Sequence, residues 1–425
     1  MFPELSPAQI ERNYTEACQT YRELGIDPEE VLAHMQNIPI SLHCWQGDDV
    51  KGFEKQENVS GGGIMAIGNY PGPATTADML REDAERAFRL IPGKKRFNLH
   101  AIYAETGDEA VPRDQIKPEH FQNWMDWAKK LGIALDFNPT YFAHPLANDG
   151  FTLSNGNDEI RKFWVRHGIA CRKIAGAMAR SQGSPCIVNH WIPDGHKDQP
   201  IDRMGPRKRL IQSLDEIFSE DNADGKLCKD AVECKLFGLG SEDYVVGSHE
   251  FYMSYAMTHP QMLCFDMGHF HPTETIHDKI SAVMLFKKEQ LIHVSRGVRW
   301  DSDHVVNFNE DLRMLFQQLV RCGVIDKTHI ALDFFDASIN RIGAWVIGTR
   351  ATQKALLAAL LEPTKILQSF ENANDNAMKL ALLEELKTFP LESVWDMFCL
   401  RNQVASGASW IDTLIDIDRK IIKKR

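Results

Sequence analysis

The chain has 425 residues, 43% hydrophobic and 25% charged, which is the profile of a globular protein with a core large enough to hold itself together without disulfides or a structural metal. It carries 48 basic against 59 acidic residues, a net charge of −11. That balance argues against nucleic acid as a partner, because nothing broadly neutralises phosphates. The basic run at 419–425 reads as a solvated helix end. No apolar stretch approaches the ~20 residues that span a bilayer, so no membrane partner is expected.

In chain order, residues Met1 to Gly25 pattern as an amphipathic helix with Glu and Arg, without the apolar core of a signal peptide. The nine cysteines form no CxxC pair, and Cys44, Cys186 and Cys264 sit inside apolar runs. Reduced, buried thiols in a cytoplasmic protein are expected. Eight β-branched or aromatic runs then recur: Ile40–Trp45, Arg96–Tyr103, Ala134–Phe142, Pro185–Ile192, Asp230–Phe237, Met262–Phe270, Leu291–Val298 and His329–Phe335. Each gap between them has room for one crossover helix and its loops, as in βαβ units. Eight such units predict an α/β fold, a closed (β/α)8 TIM barrel, with an open doubly wound sheet as the structural alternative.

The glycine-rich patch Gly61–Gly63 follows no strand directly and precedes no GK[ST], so it reads as a loop over the site rather than a phosphate cradle. Past Thr349 the chain turns helical, rich in Leu, Ala, Glu and Lys. This gives a division into a barrel with its N-terminal helix, 1–345, and a mostly helical C-terminal extension, 346–425. The extension is expected to pack on the barrel or on a neighbouring subunit.

Central parallel strands should be continuously apolar, yet acids and histidines break the late positions of these runs. Glu233 and Lys235 fall two residues apart in the fifth run and so on one face. Asp266 and His269 end the sixth, His293 and Ser295 share a face of the seventh, Asp301 and Asp303 follow it, and Asp333 lies in the eighth. Buried carboxylates persist when paired or bound to a cation, and barrels build their sites at strand C-termini. Glu233, Asp266, His293 and Asp333 suit one metal site. His269, Asp301 and Asp303 suit a second. A carboxylate-rich, thiolate-free donor set favours Mn²⁺, Mg²⁺ or Co²⁺ over a structural Zn²⁺. Singly, each motif has a plainer reading. Asp-Ser-Asp is commonly a turn, Lys235 a counter-ion to Glu233, His271 a local hydrogen-bonding partner, and Met65, Met267 and Trp345 packing residues. Convergence on four successive strand ends outweighs those readings.

The stretches Ser41–Val50, Lys95–Tyr103, Leu135–Leu146, Trp191–Gly195, Val232–Gly240, Asp266–Glu274, Val298–Val306 and Leu332–Ile342 resemble the L-rhamnose isomerases. The resemblance runs from about Asp27 to the end. It implies a barrel related to xylose isomerase, a homotetramer, and dependence on Mn²⁺ or on Co²⁺, Mg²⁺ or Zn²⁺, with one or two ions per subunit. It also implies that Glu233, Asp266, His293 and Asp333 hold a structural ion, and that His269, Asp301 and Asp303 hold the catalytic one. Lys235, His100 and Trp191 would line the sugar site. Trp45, Phe142 and the loop 61–70 are candidates to meet the C6 methyl. The implied reaction is L-rhamnose to L-rhamnulose by a metal-assisted 1,2-hydride shift, with Lys235 stabilising charge and Asp333 or Asp301 orienting a proton-carrying water. An enediol route is its rival. Two other readings compete with the whole: a metal-dependent phosphodiesterase or endonuclease on a similar barrel, and a non-catalytic sugar-binding barrel.

Overall fold

The computed structural model describes residues 2–54, 66–219, 228–238, 240–299 and 301–425. The core of Gly61–Gly63 and Met65 lie outside these residues. Eight parallel strands close into a barrel in sequential order: β1 (Ile40–His43), β2 (Lys95–His100), β3 (Ala134–Asn138), β4 (Cys186–Trp191), β5 (Cys228–Glu233), β6 (Met262–Asp266), β7 (Gln290–Val294) and β8 (Thr328–Leu332). Side chains alternate along each strand. Leu42, Phe97, Leu99, Val188, Val232, Phe265, Ile292 and Leu332 belong to the large core shared with the helices. Ile187, Ala231, Met262, Cys264, Leu291 and Ala331 form a separate apolar cluster on the opposite register, inside the barrel.

The strands stop earlier than the sequence predicts. Cys44–Gln46 and Ala101–Tyr103 are short 3₁₀ turns, and every run is cut at its C-terminal end. The apolar signal persists past the ladder because the departing loops are themselves buried, as Trp45, Tyr103 and Phe142 show. In consequence Lys235 follows β5 rather than lying in it. His269, Ser295 and Asp333 likewise stand on the loops just beyond β6, β7 and β8.

Helix Asp158–Gln182 is capped by Asn157 and ends on Gly183 in the left-handed region (φ 63°), the usual start and stop signals. The helix after β8, Arg341–Leu360, runs through residue 345 without a break. Helices Thr364–Asn372, Asn376–Glu385, Leu391–Arg401 and Trp410–Lys420 follow it. The N-terminal helix Pro7–Glu23 lies against Leu391–Arg401, where Arg401 sits 5.3 Å over the Tyr14 ring and forks onto Glu29 at 2.7 and 2.8 Å. Chain start and chain end are thereby clamped together outside the barrel.

Deep in the barrel, at the N-terminal end of the strands, the Asp136 carboxylate accepts from Arg96 at 2.7 and 2.8 Å, from Ser41 at 2.7 Å and from the Ile187 amide at 2.9 Å. Burial opposes its charge, but Arg96 holds its carboxyl below the usual carboxylate range. Four strands meet on this one group. Asp136→Ala leaves the Arg96 guanidinium buried without its counter-charge, and a loss of about 3–5 kcal/mol in urea unfolding is expected. A loss under 1 kcal/mol would show that the pair is not structural.

Candidate metal centre

The second half of the barrel delivers the acids. Strand ends β5, β6 and β7 and the first residue after β8 bring Glu233, Asp266, His293 and Asp333 together, each offering a donor atom within 4.8 Å of the others. His293 Nδ1 is 3.0 Å from Asp333 Oδ2, 3.4 Å from Glu233 Oε2 and 3.7 Å from Asp266 Oδ2. His269, Asp301 and Asp303 converge in the same way as a second group. Glu233 faces both, since its Oε1 lies 3.1 Å from His269 Nδ1. Asp303 reaches the group from a left-handed conformation (φ 45°), so the segment is not extended there. Its loop is closed by a bridge between Arg296 and His304, and by the Ser302 hydroxyl, which accepts from the Val298 amide and lies 2.9 Å from His304 Nδ1.

Neighbouring donors fix the free lone pairs of these carboxylates. Ser295 and the Gly268 amide each donate to Asp266 Oδ1 at 2.6 Å. The Trp45 indole donates to Asp333 Oδ1 at 3.0 Å, and Asn189 donates to Glu233 Oε2. What is left over points inward. Glu233 Oε1, Asp266 Oδ2, His269 Nδ1 and Asp301 Oδ1 are buried and make no hydrogen bond. Burial pushes Asp266 up to about 7 and raises Asp301, and burial together with Asp301 and Asp333 raises Asp303. At His269 burial is outweighed by Asp301, Asp266 and Glu233, and at His293 by Cys264 and Glu233, so both imidazoles are held toward the protonated form. Unpartnered hard oxygens and imidazole nitrogens, too crowded to be negative together, fit a divalent cation in each group. Cys264 also lies within reach of Glu233 and His293, but burial keeps its thiol well protonated.

The first half of the barrel supplies a ring wall. Trp45, His100, Phe142, Trp191 and His269 form a chain of neighbours with centroid separations of 4.8, 5.6, 5.6 and 6.4 Å. Burial pushes His100 down to about 3, so it is a neutral imidazole, with Nδ1 3.0 Å from the Thr140 hydroxyl. Lys235 Nζ sits 5.9 Å over the Trp191 ring, its pKa lowered by burial against the pull of Asp301. The candidate ligands, Lys235 and the candidate ring residues therefore gather at the C-terminal mouth. His271 turns aside to Thr273, and Trp345 donates to the His43 carbonyl in the core.

Sequence reasoning passed over Asn189 and Arg113. A polar residue in the apolar run of β4 was the only available sign of Asn189. Arg113 is buried and spends its whole guanidinium. It bonds Glu54 at 2.8–3.1 Å and the carbonyls of Thr140, Phe142 and Ala143 at 3.1, 2.5 and 2.7 Å. It thus holds the β3 loop that presents Phe142. No motif marks it, because its partners are three backbone oxygens and a carboxylate 59 residues away in sequence. Gly68 (φ 138°) lies so close to the Ala337–Ser338 backbone that a Cβ would fall 2.2 Å from it, which pins the chain to the segment that follows Asp333.

A family profile described as L-rhamnose isomerase (RhaA) matches residues 8–425. An L-rhamnose isomerase of Rhodopirellula baltica is 54% identical over 416 residues, covering 98% of this chain and 97% of the relative. One from Shigella sonnei is 53% identical over 417 residues, covering 98% and 99%. Among solved structures, an L-ribulose 3-epimerase aligns with 75% of this chain and 95% of its own at 10% identity and a TM-score of 0.48. The chain belongs to the L-rhamnose isomerase family.

Proposed function

We propose that the chain converts L-rhamnose to L-rhamnulose, the entry step of rhamnose catabolism, in the pocket between the ring wall and the two acid groups. The observation that carries this reading is the pair of converging carboxylate–imidazole sets at the barrel mouth, in a chain matched to rhamnose isomerases along almost its whole length. Glu233, Asp266, His293 and Asp333 would hold a structural ion, and His269, Asp301 and Asp303 the catalytic one. Mn²⁺ suits both by donor type. When bound, such an ion supplies Lewis-acid polarisation of the sugar's carbonyl and neighbouring hydroxyl.

The chain's own residues do the rest. His100 and Trp191 bind and orient the open-chain sugar, with Trp45 and Phe142 as the apolar face toward its C6 methyl. In the proposed reaction the C2–H bond breaks and its hydride forms the new C1–H bond, while the O2 proton passes to O1. Asp333 and Asp301 border the mouth and hold the water that carries this proton. Lys235, buried beside Asp301, is preorganised to stabilise charge growing on oxygen. We further propose a homotetramer, supported by the adjacent exposed Leu285 and Phe286. A cytoplasmic location is supported by eight free cysteines, all buried as thiols, beside one exposed. Among the described residues no helix is long and apolar enough to cross a membrane.

The direct test is a ketose assay on L-rhamnose in tritiated water, before and after EDTA and after Mn²⁺ is restored. Activity should vanish with EDTA and return with Mn²⁺, with little tritium at C1 of the product. Activity untouched by EDTA would overturn the metal reading, and stoichiometric tritium would replace the hydride shift with an enediol.

Metal binding should compete with protons. Asp266 is raised to about 7 in the metal-free protein and must ionise to bind. Mn²⁺ affinity should therefore rise with pH through about 7, by about tenfold per unit for each displaced proton, and go on rising above it as the two imidazoles give up theirs. A pH-independent dissociation constant between pH 5.5 and 8 would contradict this. Lys235→Met removes the buried charge while keeping the volume. Its kcat should fall about 10²–10³-fold with a much smaller change in KM, measured by initial rates.

A further inference from the structure

Beneath the metal ligands the barrel interior is divided along its length. Ile187, Ala231, Met262, Cys264, Leu291 and Ala331 make one side apolar. Ser41, Asn98, Asp136, Asn138 and Asn189, all buried, make the other polar. A cavity of about 240 Å³ runs between the polar side and Ile187, Leu291 and Ala331 of the apolar one. It is bordered at the N-terminal mouth by Asp326, whose side chain is 71% exposed, and at its inner end by His293 and Asn189.

Three amide side chains on its wall carry carbonyl oxygens without a partner: Asn98 Oδ1, Asn138 Oδ1 and Asn189 Oδ1, on residues 2–3% exposed. Two of them have their orientation set by the other end of the amide. Asn189 Nδ2 donates to Glu233, and Asn138 Nδ2 lies 3.4 Å from His100 Nε2. The fourth unpartnered atom is His293 Nε2. Since His293 Nδ1 is the nitrogen facing Glu233, Asp266 and Asp333, a cation held there leaves the proton on Nε2. A ligating imidazole ordinarily donates that proton to a carboxylate, a carbonyl or a water. Here the inner end of the cavity presents one donor and several acceptors with no bond among them. Water can accept from the one and donate to the others. A single water needs only about 10–15 Å³ of such space and two to four polar partners, so the cavity takes a column of them.

We propose that this cavity holds ordered water as the outer support of the buried metal ligand. A water accepts from His293 Nε2–H and donates to Asn189 and Asn138, and the column continues past Asn98 to the N-terminal mouth. Asn98 and Asn138 are then positioning residues, acting on the ion through water from the face of the barrel opposite the substrate. The proposal rests on the metal-site reading above and goes beyond it in naming what holds the ligand.

Asn98→Leu tests it, because Asn98 is neither a proposed ligand nor a member of the ring wall. The full-length protein is titrated with Mn²⁺ against a competing chelator, and melting is followed with and without the ion. Mn²⁺ affinity should weaken about 10–100-fold, while the metal-free melting temperature stays level or rises, because Leu replaces an unpartnered buried oxygen. Asn98→Ser, which keeps an oxygen and leaves room for water, should restore most of the affinity. If Asn98→Leu fails to fold, Ala331→Val narrows the cavity from its apolar side and should weaken Mn²⁺ in the same direction. Wild-type affinity in both Asn98→Leu and Ala331→Val would overturn the proposal while leaving the metal site standing. No Mn²⁺ binding by the wild type would overturn both. A crystal structure of the Mn²⁺ form should show water within hydrogen-bond distance of His293 Nε2 and Asn189 Oδ1. A dry cavity, or an anomalous Tl⁺ peak marking a monovalent cation there, would overturn it.

Discussion

Five carboxylates crowded around two imidazoles set the terms for this molecule. Glu233, Asp266, Asp301, Asp303 and Asp333 cannot all be negative in so small a volume without a compensating cation, and the upward shifts of Asp266, Asp301 and Asp303 express that cost. Everything nearby limits how these groups can relieve it. Ser295, the Gly268 amide, Trp45 and Asn189 each occupy one oxygen, so the remaining lone pairs are aimed inward rather than left to find other partners. The rigidity of the barrel turns electrostatic crowding into a site of defined shape.

The two halves of the strand order carry different duties. The ends of β1 to β4 furnish rings, from Trp45 through His100 and Phe142 to Trp191. The ends of β5 to β8 furnish charge. Trp45 bridges the two, packing against His100 while its indole fixes Asp333. Arg113 performs a comparable service for the rings, since the backbone of Phe142 is held by a buried guanidinium rather than by a strand ladder. At the other end of the same barrel, Asp136 and Arg96 spend their charge on holding strands together. A single closed sheet thus keeps its clustered acids and its strand-tying acid at opposite ends.

Much of this was legible in the residues. Eight runs marked the strands to within about two residues at their N-terminal ends, because the shift from polar turn to β-branched run is abrupt there. The C-terminal ends were misplaced, because buried loops such as 44–46 and 101–103 are as apolar as the strands they leave. The acids were legible because a carboxylate in an apolar run has few structural uses. The grouping into two sets was suggested by the strand ends and assigned its roles by family likeness, and the donor atoms of each set lie within 4.8 Å of one another. Arg113 and the interior asparagines were not legible. Their partners are main-chain oxygens and side chains distant in sequence, which leave no periodic trace in a sequence.

The split between ring-bearing and charge-bearing strands also orders events in time. Ribosomes release the chain from its N-terminus, so β1 to β4, with Trp45, His100, Phe142 and Trp191, can begin to pair before any acid of the centre has appeared. The four-residue set is incomplete until Asp333 emerges, by which point more than three quarters of the chain is already outside. A nascent half-barrel therefore carries no charge cluster to neutralise and no means of capturing an ion prematurely. Closure of β8 onto β1 and completion of the four-residue set become the same late step.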